Sequence, residues 1–159
     1  MKKVIFFWLI FLTSFMAFGQ GIKKISIAEL ETYIRESNKP IVINFWATFC
    51  APCVHEIPYF ENTVKEKYNG TLELVLVSLD PREYFPAKIS SFASQKRFSS
   101  TILWLSETNR DVFCPKIDPK WSGAIPATLM INNKKNYRKF YAQQLTPLQL
   151  VRELKLLAE

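Results

Sequence analysis

Cys50 and Cys53 are separated only by Ala51 and Pro52. Two thiols at this spacing can cycle between dithiol and disulfide, hold a soft metal, or close a structural staple. Haem attachment would need Cys-x-x-Cys-His, but Val54 follows Cys53 and the single histidine, His55, comes one place late. A zinc set could be counted from Cys50, Cys53, His55 and Cys114. However, His55 follows directly on the pair instead of arriving from a second knuckle. A staple over so short a loop would constrain little of the unfolded chain. The redox reading is favoured. In it a Cys50 thiolate attacks a substrate disulfide, and Cys53 then attacks Cys50 and releases the reduced substrate. A reading of a different class is a binding or metal-delivery module that uses the same cysteines as soft ligands for a metal such as Cu(I).

The flanking residues predict how the pair is held. Ile41-Val42-Ile43-Asn44-Phe45-Trp46 is apolar on both faces apart from Asn44, the pattern of a central strand covered on both sides. A helix is predicted from Val54 to Tyr68, with Ile57, Phe60 and Val64 inward, a kink at Pro58 and a stop at Asn69-Gly70. Cys50 would then sit at a helix start, where free N–H groups and the helix dipole favour a thiolate. Pro52 and Ala51 fix the turn and add no charge.

Elsewhere the chain alternates helices and short apolar strands. Ser26-Ile27-Ala28-Glu29 has the form of a capping box and opens a helix that ends near Lys39-Pro40. Leu72 to Asp80 and Thr101 to Leu105 read as strands around a helix that begins at Glu83 or Pro86 and runs to Phe98. Ser106 to Gly123 reads as a long connection with one helical turn. It carries Cys114, read as a partly buried free thiol, and Phe113 and Trp121, read as packing residues. Ala127 to Ile131 and Tyr137 to Tyr141 form a hairpin, and Thr146-Pro147 opens a last helix with Leu148, Val151, Leu154 and Leu157 as its apolar stripe. This order predicts an α/β three-layer sandwich, a central mixed β-sheet flanked by helices.

The chain has 159 residues, 48% of them hydrophobic, enough for one domain with a real core and no disulfide scaffold. Met1-Lys2-Lys3, the apolar run Val4 to Phe18 and Ala17-Phe18-Gly19 together predict a signal peptide over 1–19, ahead of a domain over 20–159. The alternative is an uncleaved membrane anchor, although the run is shorter than the ~20 residues of a usual span. Formal net charge is +7, and about +5 without Lys2 and Lys3. The basic residues are scattered among acidic ones, which argues against a nucleic-acid groove. Export to the periplasm places the thiols where disulfides persist. A thiol peroxidase is disfavoured. Peroxiredoxin sites place a threonine three residues before the cysteine and a proline four before that, whereas here Thr48 is two before and Ile43 holds the other position.

The stretch Val42 to Pro58, with Trp46-Ala47-Thr48-Phe49-Cys50-Ala51-Pro52-Cys53 at its centre, resembles the thioredoxin superfamily, and within it the TlpA/ResA-like exported thiol–disulfide oxidoreductases. Gly123-Ala124-Ile125-Pro126-Ala127-Thr128 is similar to the family's second motif. The resemblance implies a thioredoxin-like fold, with Cys50 as nucleophile, Cys53 as resolving thiol and a redox-active Cys50–Cys53 disulfide in place of any cofactor or metal. It further implies Trp46 packed beside the pair, Pro58 as the kink proline and Pro126 as a cis-proline facing the disulfide. Ile125 would then offer backbone hydrogen bonds to an extended client segment. Glu56 matches a glutamate near the active site in ResA-like members and could handle the Cys53 proton. It could equally be a solvent-facing helix charge. Asn44 stands where cytosolic thioredoxins carry a buried aspartate, which removes that base. The implied partners are client proteins with disulfides, apocytochrome c among them, and a membrane-embedded thiol reductant, with the protein itself a monomer. Ala51-Pro52 lacks the histidine of strongly oxidising members, so a protein-disulfide reductase active in cytochrome c maturation is expected.

Overall fold

The computed structural model describes residues 21–159. The expected signal segment lies outside the described residues. In chain order the elements are β1 (Lys23–Ile25), α1 (Ile27–Glu36), β2 (Ile41–Trp46), α2 (Ala51–Tyr68), β3 (Glu73–Ser78), α3 (Ala87–Lys96), β4 (Thr101–Leu105), α4 (Arg110–Ile117), β5 (Ala127–Asn132), β6 (Tyr137–Tyr141) and α5 (Pro147–Ala158). The sheet has six strands in the order β1-β4-β3-β2-β5-β6. β1, β4, β3 and β2 run parallel, β5 pairs antiparallel with β2, and β6 pairs antiparallel with β5 at the edge. This is the mixed sheet of a thioredoxin-like three-layer sandwich.

Alternation along β2 divides the core. Successive side chains of a strand point to opposite faces. Val42 and Trp46 join the buried cluster that includes Ile57 and Phe60 of α2, Ile89 of α3 and Leu154 of α5. Ile41, Ile43 and Phe45 join the other cluster, with Leu30 of α1 and Phe113 and Ile117 of α4. All six β2 residues are buried. Asn44 shares the parity of Val42 and Trp46, so it meets α2.

Three sequence expectations change, and a fourth is narrowed. β1 was not expected; three residues are too short to show a period, and it forms by pairing with Leu103, Trp104 and Leu105. The expected long connection holds a full helix, α4, capped by the Asn109 side chain accepting from Asp111 N at 3.0 Å, and burying Phe113, Cys114 and Ile117. Pro115 inside it masks the helical pattern. Of the two expected starts for α3 the later one holds, with Pro86 as its N-cap; Glu83 lies in a separate short 3-10 helix over Arg82–Tyr84, and the Phe85–Pro86 peptide between the two is cis. On α5 the buried residues are Leu150, Glu153, Leu154 and Leu157, while Leu148 is 82% exposed. Constant three-residue steps drift around a helix of 3.6 residues per turn, so the expected stripe could not stay on one face.

Candidate active site

Both cysteines arrive where β2 hands over to α2. Cys50 is the N-cap residue of α2, with extended backbone at φ −90° and ψ 94°. Cys50 N donates to Ala47 O at 3.0 Å, and Val54 N to Cys50 O at 3.0 Å, which closes the first helical turn. Pro52 sits in that turn, where a missing N–H costs nothing because the donor would lack a partner anyway. Cys50 and Cys53 are joined by a disulfide with an S–S distance of 1.99 Å. Cys53 N donates to Cys50 Sγ at 3.3 Å, a contact that would stabilise a Cys50 thiolate. Cys50 keeps a little exposure at 8%, whereas Cys53 has none. This asymmetry suits Cys50 as the sulfur a partner reaches first.

Trp46 is fully buried in the same cluster as both cysteines, with Phe98 edge-on to its ring at 5.5 Å. Its Nε1 has no hydrogen-bond partner among the described residues. α2 runs on through Pro58 as one helix. The Ile125–Pro126 peptide is cis. Pro126 is buried and Ile125 half-buried. Ile125 and Phe49, the residue before Cys50, line one hollow of about 340 Å³, together with Asp80, Arg110 and Gly123. Gly123 is held at φ +85°, a left-handed conformation that suits glycine, and Arg110 packs where a Cβ would project. A second hollow of about 560 Å³ lies on the other side of Phe49, bounded by Val54, His55, Phe92 and Lys96. Phe49 stands between the two with 66% of its surface exposed.

Glu56 is fully buried, so it is not a solvent-facing helix charge. Its Oε1 accepts from Asn44 Nδ2 at 2.7 Å and its Oε2 from Leu145 N at 3.2 Å. Asn44 Nδ2 also donates to Thr128 Oγ1 at 3.2 Å, across the β2–β5 pairing. Burial pushes the Glu56 carboxyl up to about 7, and the two hydrogen bonds only partly offset it. Glu56 lies three residues beyond Cys53, on the same helical face. Asn44 therefore does not leave the site without a titratable group. It orients one supplied by α2.

The zinc set does not come together. Cys50 and Cys53 belong to one buried cluster and Cys114 to the other, across the sheet. Cys114 is a free thiol at 2% exposure, more buried than the sequence suggested, and burial pushes its pKa up. Trp121 packs on Phe45, Phe113 and Phe140 as core. Asp80 was missed by the sequence reading. It is 2% exposed and accepts hydrogen bonds from Thr48 in the turn before Cys50. Its only sequence signal is an acidic residue just past the end of an apolar strand, before Pro81.

Fold and site together define a thioredoxin-like protein with a disulfide-forming cysteine pair at a helix start. The chain belongs to the AhpC/TSA family, whose profile matches residues 12–140. It is similar to the thiol-disulfide oxidoreductase ResA of Bacillus subtilis, with 27% identity over 110 residues that cover 69% of this chain and 53% of that protein. It is also similar to ResA of Oceanobacillus iheyensis, with 44% identity over 45 residues that cover 28% of this chain and 23% of that protein. The chain thus spans about half or less of the length of these curated relatives. Among solved structures, a thioredoxin-related protein from Neisseria meningitidis serogroup B superposes with a TM-score of 0.64 at 25% identity, covering 76% of this chain and 86% of that one. A secreted Mycobacterium tuberculosis disulfide oxidoreductase shares the fold, with a TM-score of 0.57 at 18% identity over 76% of this chain and 83% of that one.

Proposed function

We propose that the protein is an exported thiol–disulfide oxidoreductase that reduces disulfides of client proteins. The observation that carries this reading is the disulfide itself, formed between an N-cap Cys50 that remains accessible and a Cys53 that does not. The reduced protein starts the cycle. The Cys50 thiolate attacks one sulfur of a client disulfide. A protein–client S–S bond forms, the client's own bond breaks, and the departing client sulfur takes a proton. Cys53 then gives up its proton and attacks Cys50 Sγ. The mixed disulfide breaks, the second client sulfur leaves as a thiol, and the Cys50–Cys53 disulfide results. Two electrons have passed to the client, and a membrane-embedded thiol reductant restores them.

Glu56 is the acceptor for the Cys53 proton in this scheme, since a carboxyl with a pKa of about 7 exchanges protons readily near neutrality. Ile125, which lines a hollow together with Phe49, offers its backbone to an extended client segment, and the cis Ile125–Pro126 peptide fixes the direction of that backbone. The basic start and apolar run of residues 1–18 support export to the periplasm. Apocytochrome c, before haem attachment, is the client class implied by the resemblance of Val42 to Pro58 to the TlpA/ResA-like oxidoreductases.

Cys53→Ala tests the reading by stalling the mixed disulfide on Cys50. A covalent client recovered by mass supports it. No covalent partner, with Cys50 unreactive to alkylation, would overturn it. A reduction potential near that of strong periplasmic oxidants, about −120 mV, would overturn the reductase direction.

A further inference from the structure

The geometry points to Asp80 as a positioning residue for Cys50, acting through Thr48. This inference rests on the exchange reaction proposed above. Asp80 lies just past the end of β3 and is nearly buried, at 2% exposure. Its place is set from the sheet. Ser78 Oγ donates to Asp80 Oδ2 at 2.8 Å, and Trp104 Nε1 of β4 donates to the Asp80 backbone carbonyl at 2.8 Å. The rest of the carboxylate is turned on Thr48. Thr48 N is 3.1 Å from each oxygen, and Thr48 Oγ1 donates to Oδ1 at 2.6 Å. Among the described residues no lysine or arginine forms an ion pair with it. A carboxylate taken from water without a cation must be met by N–H and O–H donors, and short bonds of this kind are the strong ones.

Thr48 sits inside the turn that joins β2 to α2. That turn is closed by Cys50 N donating to Ala47 O, and it is tied to β3 by Leu79 N donating to Trp46 O at 2.8 Å. With Thr48 anchored, Cys50 is held in the extended N-cap conformation. That conformation keeps the Cys53 N–H on Cys50 Sγ. In the dithiol state the same N–H and the helix start stabilise the Cys50 thiolate. Releasing Thr48 lets Cys50 leave the cap, and the thiolate loses part of that support. Phe49, between Thr48 and Cys50, would at the same time lose its fixed position between the two hollows.

The negative charge of Asp80 taken alone would act in the opposite sense, since a like charge disfavours a thiolate. This contrast provides the test. The rate of Cys50 alkylation by iodoacetamide is followed by mass across the pH range in the reduced protein. Thr48→Val keeps the charge and removes the hydroxyl; Asp80→Asn removes the charge and weakens the anchor. If Asp80 positions Cys50, both variants slow alkylation near neutral pH, by roughly three- to tenfold from the loss of one charge-assisted bond. The double variant is then no slower than the slower single one, and Thr48→Ser restores the rate. If Asp80→Asn speeds alkylation while Thr48→Val leaves it unchanged, Asp80 acts only through space and the proposal is overturned. Unchanged rates in both variants overturn it as well. Should Asp80→Asn fail to fold, Thr48→Val carries the same test, because it exchanges only a hydroxyl for a methyl at a half-buried position. Alkylation needs no client. Absence of disulfide-reductase turnover in the unaltered protein would therefore sink the function and leave this positioning result standing or falling by itself.

Discussion

A carboxyl group removed from water favours its neutral form, and Glu56 is completely buried beside a redox pair. Its two donors, Asn44 Nδ2 and Leu145 N, favour the ionised form, but burial outweighs them and the pKa is about 7. The group is thus balanced between two protonation states near neutral pH, which suits it to take the Cys53 proton in the proposed exchange. Glu56→Gln keeps one acceptor oxygen in place of two, sets an NH2 against the other of the two donors, Asn44 Nδ2 or Leu145 N, and removes the proton exchange. The expected result is that release of the mixed disulfide by Cys53 slows by roughly a hundredfold, the lower range for positioned acid–base groups, and loses its inflection near pH 7. Attack by the Cys50 thiolate, the first step, and its stand-in, alkylation of Cys50, should change little. Rapid-mixing measurement of the two steps separates these outcomes. An unchanged second step would remove Glu56 from the reaction. In the sequence the residue could be read either way, because position 56 follows from the Cys53 spacing but its burial depends on Leu145, eighty-nine residues away.

At the scale of elements, α5 separates helical pattern from actual burial. Its N-terminal box is the reciprocal pair Thr146 and Gln149, and it closes the sheet on the α2 side with Leu150, Leu154 and Leu157. Leu154→Ala should cost about 2–5 kcal/mol by opening a cavity in that layer. Leu148→Ala, at an 82% exposed position, should stay within about 0.5 kcal/mol. Urea midpoints at constant m-value check the contrast, and equal losses would refute the assignment of faces. Local chemistry made much of the fold legible: the Ser26 capping box, the Pro40 boundary, the buried strand Ile41–Trp46 and the hairpin Ala127 to Tyr141 all depend on neighbours in sequence. What stayed hidden depends on distant partners. β1 exists because β4 offers an edge, α4 survives Pro115 because Phe113 and Ile117 are buried against Phe45 and Trp121, and Asp80 acquires its role only when the end of β3 lies beside Thr48. The cysteines were legible from spacing alone, since a helix start needs only the residues that follow it.

For the whole molecule, two buried carboxyls tie stability to pH in opposite directions. Glu153 of α5 is 2% exposed. Burial pushes its carboxyl up, but hydrogen bonds from Tyr141, Lys139 and Arg152 outweigh this and hold the pKa at about 2. Its pKa is depressed from 4.5, so its contribution is complete above about pH 4.5 and is lost as pH falls toward 2. Glu56 is raised from 4.5 to about 7, so the native state binds the extra proton between those values. Its contribution is complete below about pH 4.5 and declines as pH rises to 7, after which it is flat. The loss for Glu56 is on the order of 3 kcal/mol across that window. These two groups alone therefore give a stability maximum near pH 4.5, with a falling limb on each side. Urea unfolding of the oxidised protein, in which neither Cys50 nor Cys53 titrates, should show both limbs. Glu56→Gln should flatten the neutral limb, while Glu153→Gln should flatten the acid limb. Salt distinguishes them further. Lys139 and Arg152 are 44% and 71% exposed, so added salt screens their attraction and weakens the acid limb. The neutral limb arises from desolvation and should not respond. A neutral limb that persists in Glu56→Gln would place its origin elsewhere and remove the physical basis for Glu56 as a proton acceptor.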